Sequence, residues 1–333
     1  LFHALWAGLP ADMATAESLF ASVSTGHSAL IGQGLSLALT AAVVGAGVQG
    51  GIERLSRWAL PLLFVLLVGL AIWAGTLSGA VGGYQTFLLR WDPAQLLNPT
   101  TIRNAFTQAF FSIGTGIGCI LAYSAYLRSS ARLPREAIAV VGLDTAVGLL
   151  AGLITFPIVI SFGLKETVNE STVGALFLAI PTGLASLGGV GRFVAILFFS
   201  LAYLAAITSS VSLLEVPVAS LMDRLGWSRK RSAWLMSLLI FIAGLPAAMS
   251  IPVLEVMDSI FGGLLLILGG LLLALLLGWV APKRFRDDLQ GSKTSSGLIH
   301  LMLFFLRWVS PAVITCGLVV SVVDLCRQWF YSA

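Results

Sequence analysis

In 333 residues, 58% are hydrophobic and only 10% are charged, with a mean hydropathy of +0.97; a soluble domain carries about 25% charged residues, so a water-facing globular protein is excluded. The net charge of +4 does not mark a nucleic-acid partner, because the basic residues sit in short clusters between long apolar runs, the charge pattern of a membrane protein. Three cysteines without a CxxC pair and three scattered histidines (His3, His27, His300) offer neither a disulfide framework nor a zinc site, and with no catalytic triad in view the chain is not read as an enzyme.

Residues 1–27 are mixed in polarity and read as an extracellular loop region with short helical pieces. They show no basic segment followed by a cleavage site, so they are not a signal peptide. Residues 28–325 form the transmembrane helical domain, with eight predicted spans at about 28–49, 56–80, 102–127, 136–164, 190–222, 229–249, 254–281 and 298–325. Each approaches or exceeds the ~20 residues that cross a bilayer core. Residues 326–333 are left as a C-terminal tail.

Loop charge assigns the two sides. Arg54 and Arg57, then Arg128, Arg132 and Arg135, then Arg224, Arg229, Lys230 and Arg231, then Lys283, Arg284, Arg286 and Lys293 fall in one set of loops. The alternate set holds only Arg90, Arg103, Lys165, Arg192 and Arg327. The first set is therefore cytoplasmic and both ends of the chain lie outside. This describes a multi-pass protein of the plasma (cell inner) membrane. One outer loop, 165–190, contains ALFLAIP, which suggests a short helix dipping over the outer face, packed on protein or lining a cavity.

Polar chemistry inside the spans is sparse. In the third span Gly114, Gly116 and Gly118 stand beside Ser112 and Thr115. Glycine weakens a helix interior by about 1 kcal/mol relative to alanine. The run therefore predicts either local unwinding that offers backbone groups to an ion or polar ligand, or close helix packing through small residues. Asp144 sits inside the fourth span, where an aspartate costs ~2.5–3.5 kcal/mol even on insertion scales. It needs a cation or a hydrogen-bonding neighbour; Thr145 beside it fits a simple back-bond to its own helix. In the fifth span Ala205, Thr208 and Ser209 share one face. A carbonyl and two hydroxyls suit a sodium ion, provided that a local distortion frees the Ala205 carbonyl; small-residue packing is the alternative. Further along, Glu215 is open to protonation, to a bond with the unwound segment, or to a silent structural role. Asp258 is expected at the start of the seventh span, where the helix dipole favours an acid.

Taken in order, GIERLSRWALPLLF after the first span, TQAFFSIGTGIGCILAYSAYLR, ALFLAIP, AAITSSVSLLE, DRLGWSRK and MDSIFGG resemble the neurotransmitter:sodium symporter family, in its bacterial amino-acid-transporting branch. The resemblance implies an all-α membrane protein with the inverted-repeat sodium symporter fold. The eight spans match family helices 4 to 11, so the first three are missing and the chain is expected to be an N-terminally truncated fragment that does not transport alone. It also implies sodium-coupled secondary transport of a neutral amino acid by alternating access. The implied partners are the amino-acid substrate, sodium ions and the lipid bilayer, with no nucleic acid. A non-transporting receptor-like, channel-like or regulatory fragment is the competing class, separated by saturable sodium-dependent uptake.

Position by position, the resemblance makes Phe111 a lid over the substrate and Ser112 a ligand of the first sodium and of the substrate. Gly114 and Ile117 line the substrate pocket, joined by Ser209 and Leu213. Asp144 falls where the family usually has an asparagine ligand of the first sodium. Ala205, Thr208 and Ser209 match the second sodium site. Asp258 matches the outer-gate acid, and Tyr126 and Asp223 match the inner-gate network. Some family members bind chloride near Gln108 and Ser112, and others carry a glutamate where this chain has Gly148. Here Asp144 is expected to ligate sodium and to supply the negative charge itself, so chloride is not required. Ile117 replaces a commonly aromatic residue, which implies a wider aliphatic pocket.

Overall fold

A computed structural model describes residues 8–10, 12–127, 132–163, 177–178, 180–292 and 294–331. Among them the ordered elements are helices and no strand occurs. Among the described residues six helices are long and apolar enough to cross a bilayer: Gly26–Gly45, Val48–Ala74, Leu133–Ser161, Gly188–Leu225, Ile251–Val280 and Ser296–Arg327. They occupy the places of six of the expected spans.

The other two expected spans are helical but interrupted. One divides into Pro99–Ile113 and Cys119–Ser124. The other divides into Arg229–Ala243 and Leu245–Met249, with Gly244 between them and Pro246 in the first turn of the second piece. Proline has no N–H to continue the ladder and clashes with the preceding turn, so it opens a helix more readily than it extends one. Much of the outer loop, including Lys165 and, within ALFLAIP, Ala175, Leu176 and Ala179, lies outside the described residues, as does Arg128. Within the part that is described, Ile180–Ala185 is a short helix with Ile180 and Leu184 fully buried.

The seventh span starts earlier than its hydropathy suggests. Ser250 is extended, and the helix opens at Ile251. Asp258 therefore lies about two turns inside, at the head of a π-helical stretch, Asp258–Leu264. The macrodipole acts within the first turn, so it does not account for this acid.

The chain forms two compact units. The first comprises residues 1–91 and 146–251. Its core joins Leu67 and Leu70 to Ile154 and Ile158, with Ile180, Leu184, Val194 and Phe198 packed around them. The second comprises residues 92–145 and 252–333, and its core sets Ile267, Ala274 and Ile314 against Phe106 and Phe110. Apolar side chains such as Ile31, Leu35 and Ile138 point outward. In a bilayer this is no penalty, because lipid tails are as apolar as leucine. Helix association then rests on packing rather than on removal of apolar surface from water.

That distinction is measurable on one helix. Ile158 is 1% exposed and Ile138 is 74% exposed, although both belong to Leu133–Ser161. Ile158→Ala leaves a cavity and is expected to destabilise the protein by about 2–5 kcal/mol in denaturant titrations of the detergent-solubilised protein. Ile138→Ala is expected to leave the unfolding midpoint nearly unchanged.

Candidate functional site

The interrupted helix of the second unit is built by its sequence from both ends. Asn98 accepts a hydrogen bond from the Thr100 N–H at 3.0 Å, and Pro99 occupies the first turn, the combination that satisfies a helix N-terminus. At the other end Gly114 takes φ +72° and Gly118 φ +89°. For an L-residue such a conformation costs roughly 1–2 kcal/mol. The α-helical ladder gives way to turn bonds. The Gly114 N–H reaches the Phe110 and Phe111 carbonyls, that of Gly118 reaches Thr115, and that of Cys119 reaches back to Gly114. Gly116 serves differently, since a Cβ there would strike the Leu266 carbonyl. The run thus both unwinds the helix and packs closely: the outer two glycines make the turn, and the middle one lets a neighbouring backbone approach.

Just before the break, the Ser112 hydroxyl donates to Oδ1 of Asp144. Ser112 is exposed and Asp144 half-buried. The Thr145 hydroxyl instead returns to the Val141 carbonyl at 2.8 Å, the back-bond expected of it. Phe111 is exposed, Ile117 half-buried and Gly114 buried. A carboxylate and a hydroxyl at a helix break are a set of hard oxygen donors, and such donors bind hard cations.

The half-helix carrying Ser112 is fixed at its outer end by a charge pair. Nη1 of Arg103 lies 2.8 Å from Oδ2 of Asp324, and Oδ1 of Asp324 accepts from the Thr100 hydroxyl at 3.1 Å. Asp324 is buried. Next to the pair is a cavity of about 100 Å³ lined by Arg103, Asn104, Thr107, Asp258, Ser259 and Ser321, among others. Asp258 is exposed there. The loop-charge pattern treats Arg103 as an outer charge and leaves Asp324 unremarked. The available signal is that Asp324 is the one carboxylate in the last apolar run. Tyr126 is exposed in the turn after Cys119–Ser124, with its N–H on the Tyr123 carbonyl at 3.0 Å.

In the first unit, Ala205, Thr208, Ser209 and Leu213 lie on the uninterrupted Gly188–Leu225 helix. The distortion expected to free the Ala205 carbonyl is absent. The Thr208 hydroxyl is 2.9 Å from that carbonyl and 3.1 Å from that of Leu204. Ser209 and Leu213 are exposed. Glu215 is fully buried and pairs with Arg229, 2.6 Å away at the start of the next helix. Of the roles left open for Glu215, the structure shows a buried pair with Arg229. Asp223 is exposed near the end of the same helix.

A buried ion pair is costly to break and cheap to remove whole. Arg103→Met or Asp324→Leu alone is expected to lower stability by about 3–5 kcal/mol. The double variant should lose much less than the sum, as measured by a double-mutant cycle in denaturant. Additive losses would show that the two side chains act independently.

The sequence profile of the sodium:neurotransmitter symporter family matches residues 26–332. YhdH of Bacillus subtilis, named an uncharacterized sodium-dependent transporter, is 33% identical over 315 residues, covering 89% of this chain and 68% of its own. An uncharacterized sodium-dependent transporter of Haemophilus influenzae is 29% identical over 284 residues, covering 82% of this chain and 61% of its own. The sodium-dependent nutrient amino acid transporter 1 of Drosophila grimshawi is 33% identical over 189 residues, 55% of this chain and 29% of its own length. The crystal structure of MhsT in complex with L-phenylalanine superposes with a TM-score of 0.84 at 33% identity, over 96% of this chain and 74% of that one. The chain thus spans about two thirds or less of the length of these three relatives.

Proposed function

This chain belongs to the sodium:neurotransmitter symporter family, and on that premise we propose that the protein carrying it couples sodium entry to the uptake of a neutral amino acid by alternating access. The observation that supports this most is the Ser112–Asp144 oxygen pair beside the break at Gly114–Gly118. Backbone that leaves the helical ladder at membrane depth is tolerated where it lines a cavity or meets a ligand.

In this reading sodium inserts between the Asp144 carboxylate and the Ser112 hydroxyl, taking the place of their hydrogen bond. The substrate carboxylate completes the ion's oxygen shell. Sodium and substrate then stabilise each other, and the coupling is reciprocal by thermodynamic necessity. Phe111, Gly114, Ile117, Ser209 and Leu213 line the substrate. The aliphatic Ile117 favours a sizeable apolar side chain, and the L-phenylalanine held by MhsT is a ligand of that kind. The second sodium rests on Ala205, Thr208 and Ser209. The Thr208 hydroxyl oxygen accepts while it donates and so keeps acceptor capacity, whereas the Ala205 carbonyl, engaged by the helical ladder and by that hydroxyl, joins the ion only when the helix opens locally there. Asp258 serves the outer gate, Tyr126 and Asp223 the inner one. Asp144 supplies the fixed negative charge beside the first sodium, so transport proceeds without chloride.

The test is uptake of radiolabelled phenylalanine by liposomes containing the intact protein, under an inward sodium gradient. Uptake is expected to saturate, to vanish when potassium replaces sodium, and to be unchanged when gluconate replaces chloride. Asp144→Asn is expected to raise the sodium concentration for half-maximal uptake at least ~10-fold, equivalent to about 1.4 kcal/mol, and to make chloride stimulatory. Sodium-independent uptake would contradict the coupling, and a chloride requirement in the unaltered protein would contradict the role of Asp144.

A further inference from the structure

One cation lies inside an apolar span, away from the transport residues. Arg307 belongs to the Ser296–Arg327 run, in a π-helical turn, Phe305–Val309. Among the described residues no carboxylate pairs with it. Its Nε–H donates to the Gly278 carbonyl at 2.8 Å. Gly278 lies in the facing π-helical turn, Leu276–Val280. The two backbones are close there, since a Cβ on Gly278 would lie 2.9 Å from the Leu306 carbonyl oxygen. The contact is fastened again from the other side, where the Trp279 indole N–H donates to the Arg307 carbonyl at 3.1 Å.

This clasp fixes the guanidinium by one of its five donors. The four terminal N–H groups are left over, and a charged group in a span must meet an opposite charge, water or the headgroup layer. Trp279 and Trp308 show which. Their rings meet edge-on, 5.0 Å apart, and they are 52% and 58% exposed. Exposed tryptophans with a polar tip settle at the headgroup level of a bilayer. Immediately beyond Trp279, the short helix Pro282–Gly291 carries Lys283, Arg284 and Arg286, all exposed, together with exposed Asp287 and Asp288. It is held against Ser296–Phe304 by Leu289, Phe285, Ile299 and Leu303. Loop charge assigns this end to the cytoplasmic side.

We propose that Arg307, flanked by Trp279 and Trp308, is a binding site for the phosphodiester headgroup of an anionic phospholipid in the inner leaflet. The terminal guanidinium nitrogens take the phosphate oxygens, for which their forked geometry is suited. The two indoles bracket the acyl–headgroup boundary, and the neighbouring lysine and arginines raise the local concentration of anionic lipid. The bound lipid thereby supplies a counter-charge that no carboxylate among the described residues provides.

The experiment is native mass spectrometry of the intact protein in detergent, titrated with phosphatidylglycerol or with phosphatidylcholine of the same acyl chains. One phosphatidylglycerol is expected to bind at least ~10-fold more tightly than phosphatidylcholine. Arg307→Gln should abolish that preference, and Arg307→Lys should keep part of it. Inorganic phosphate at millimolar concentration should not displace the lipid. Equal binding of the two lipids by the unaltered protein overturns the proposal, whatever the variants do. So does an undiminished preference in Arg307→Gln, and displacement by free phosphate would show a soluble-anion site instead. If Arg307→Gln does not fold, Trp308→Ala, which leaves the Gly278 contact in place, is expected to weaken the preference; no change there also overturns it.

Discussion

Hydrocarbon accepts no hydrogen bonds, and that constraint orders this protein. Every backbone group at bilayer depth must be satisfied within its own helix unless a ligand, water or another part of the protein takes over. Most of the chain complies through long apolar helices whose outward side chains are indistinguishable in polarity from the lipid around them. The exceptions stand out because the medium makes them expensive. Among the described residues they include the break at Gly114–Gly118, the interruption at Gly244, and the polar side chains of Asp144, Asp324, Glu215 and Arg307.

These exceptions are solved in different ways. Asp324 and Glu215 are buried and hold arginines at 2.8 Å and 2.6 Å, so each charge is answered by the fold. Asp144 is only half-buried, and its partner is a serine hydroxyl. A neutral donor offsets a membrane-depth carboxylate far less than a cation does. The contrast between paired acids and an acid met by a hydroxyl separates the parts of the protein that hold it together from the part to which the proposed function assigns an ion.

Much of this was legible in the sequence, for identifiable reasons. Long apolar runs report helices directly, and three alternate glycines beside Ser112 and a lone Asp144 are local anomalies visible in any window. Their partnership is long-range, but each is conspicuous alone. The interruption at Gly244 and Pro246 was hidden because a hydropathy window averages over a turn. Asp258 was misplaced for the reverse reason: Ile251 and Pro252 extend the helix backwards beyond the apolar run, so the acid lies inside it. The Arg103–Asp324 pair could not be foreseen, since each residue read separately fits a loop or helix end. The Thr208 hydroxyl resting on the Ala205 carbonyl is likewise a choice of rotamer, and residue type does not determine it.

The central claim is that the Asp144 carboxylate and the Ser112 hydroxyl, beside the broken helix, belong to an alkali cation. The most direct measurement is a crystal structure of the intact protein grown with thallium(I) in place of sodium, read by anomalous scattering. An anomalous peak in contact with both Asp144 and Ser112, lost on competition with sodium, is the predicted result. A map in which the two side chains remain bonded to each other, with no peak beside them at saturating thallium, would contradict it.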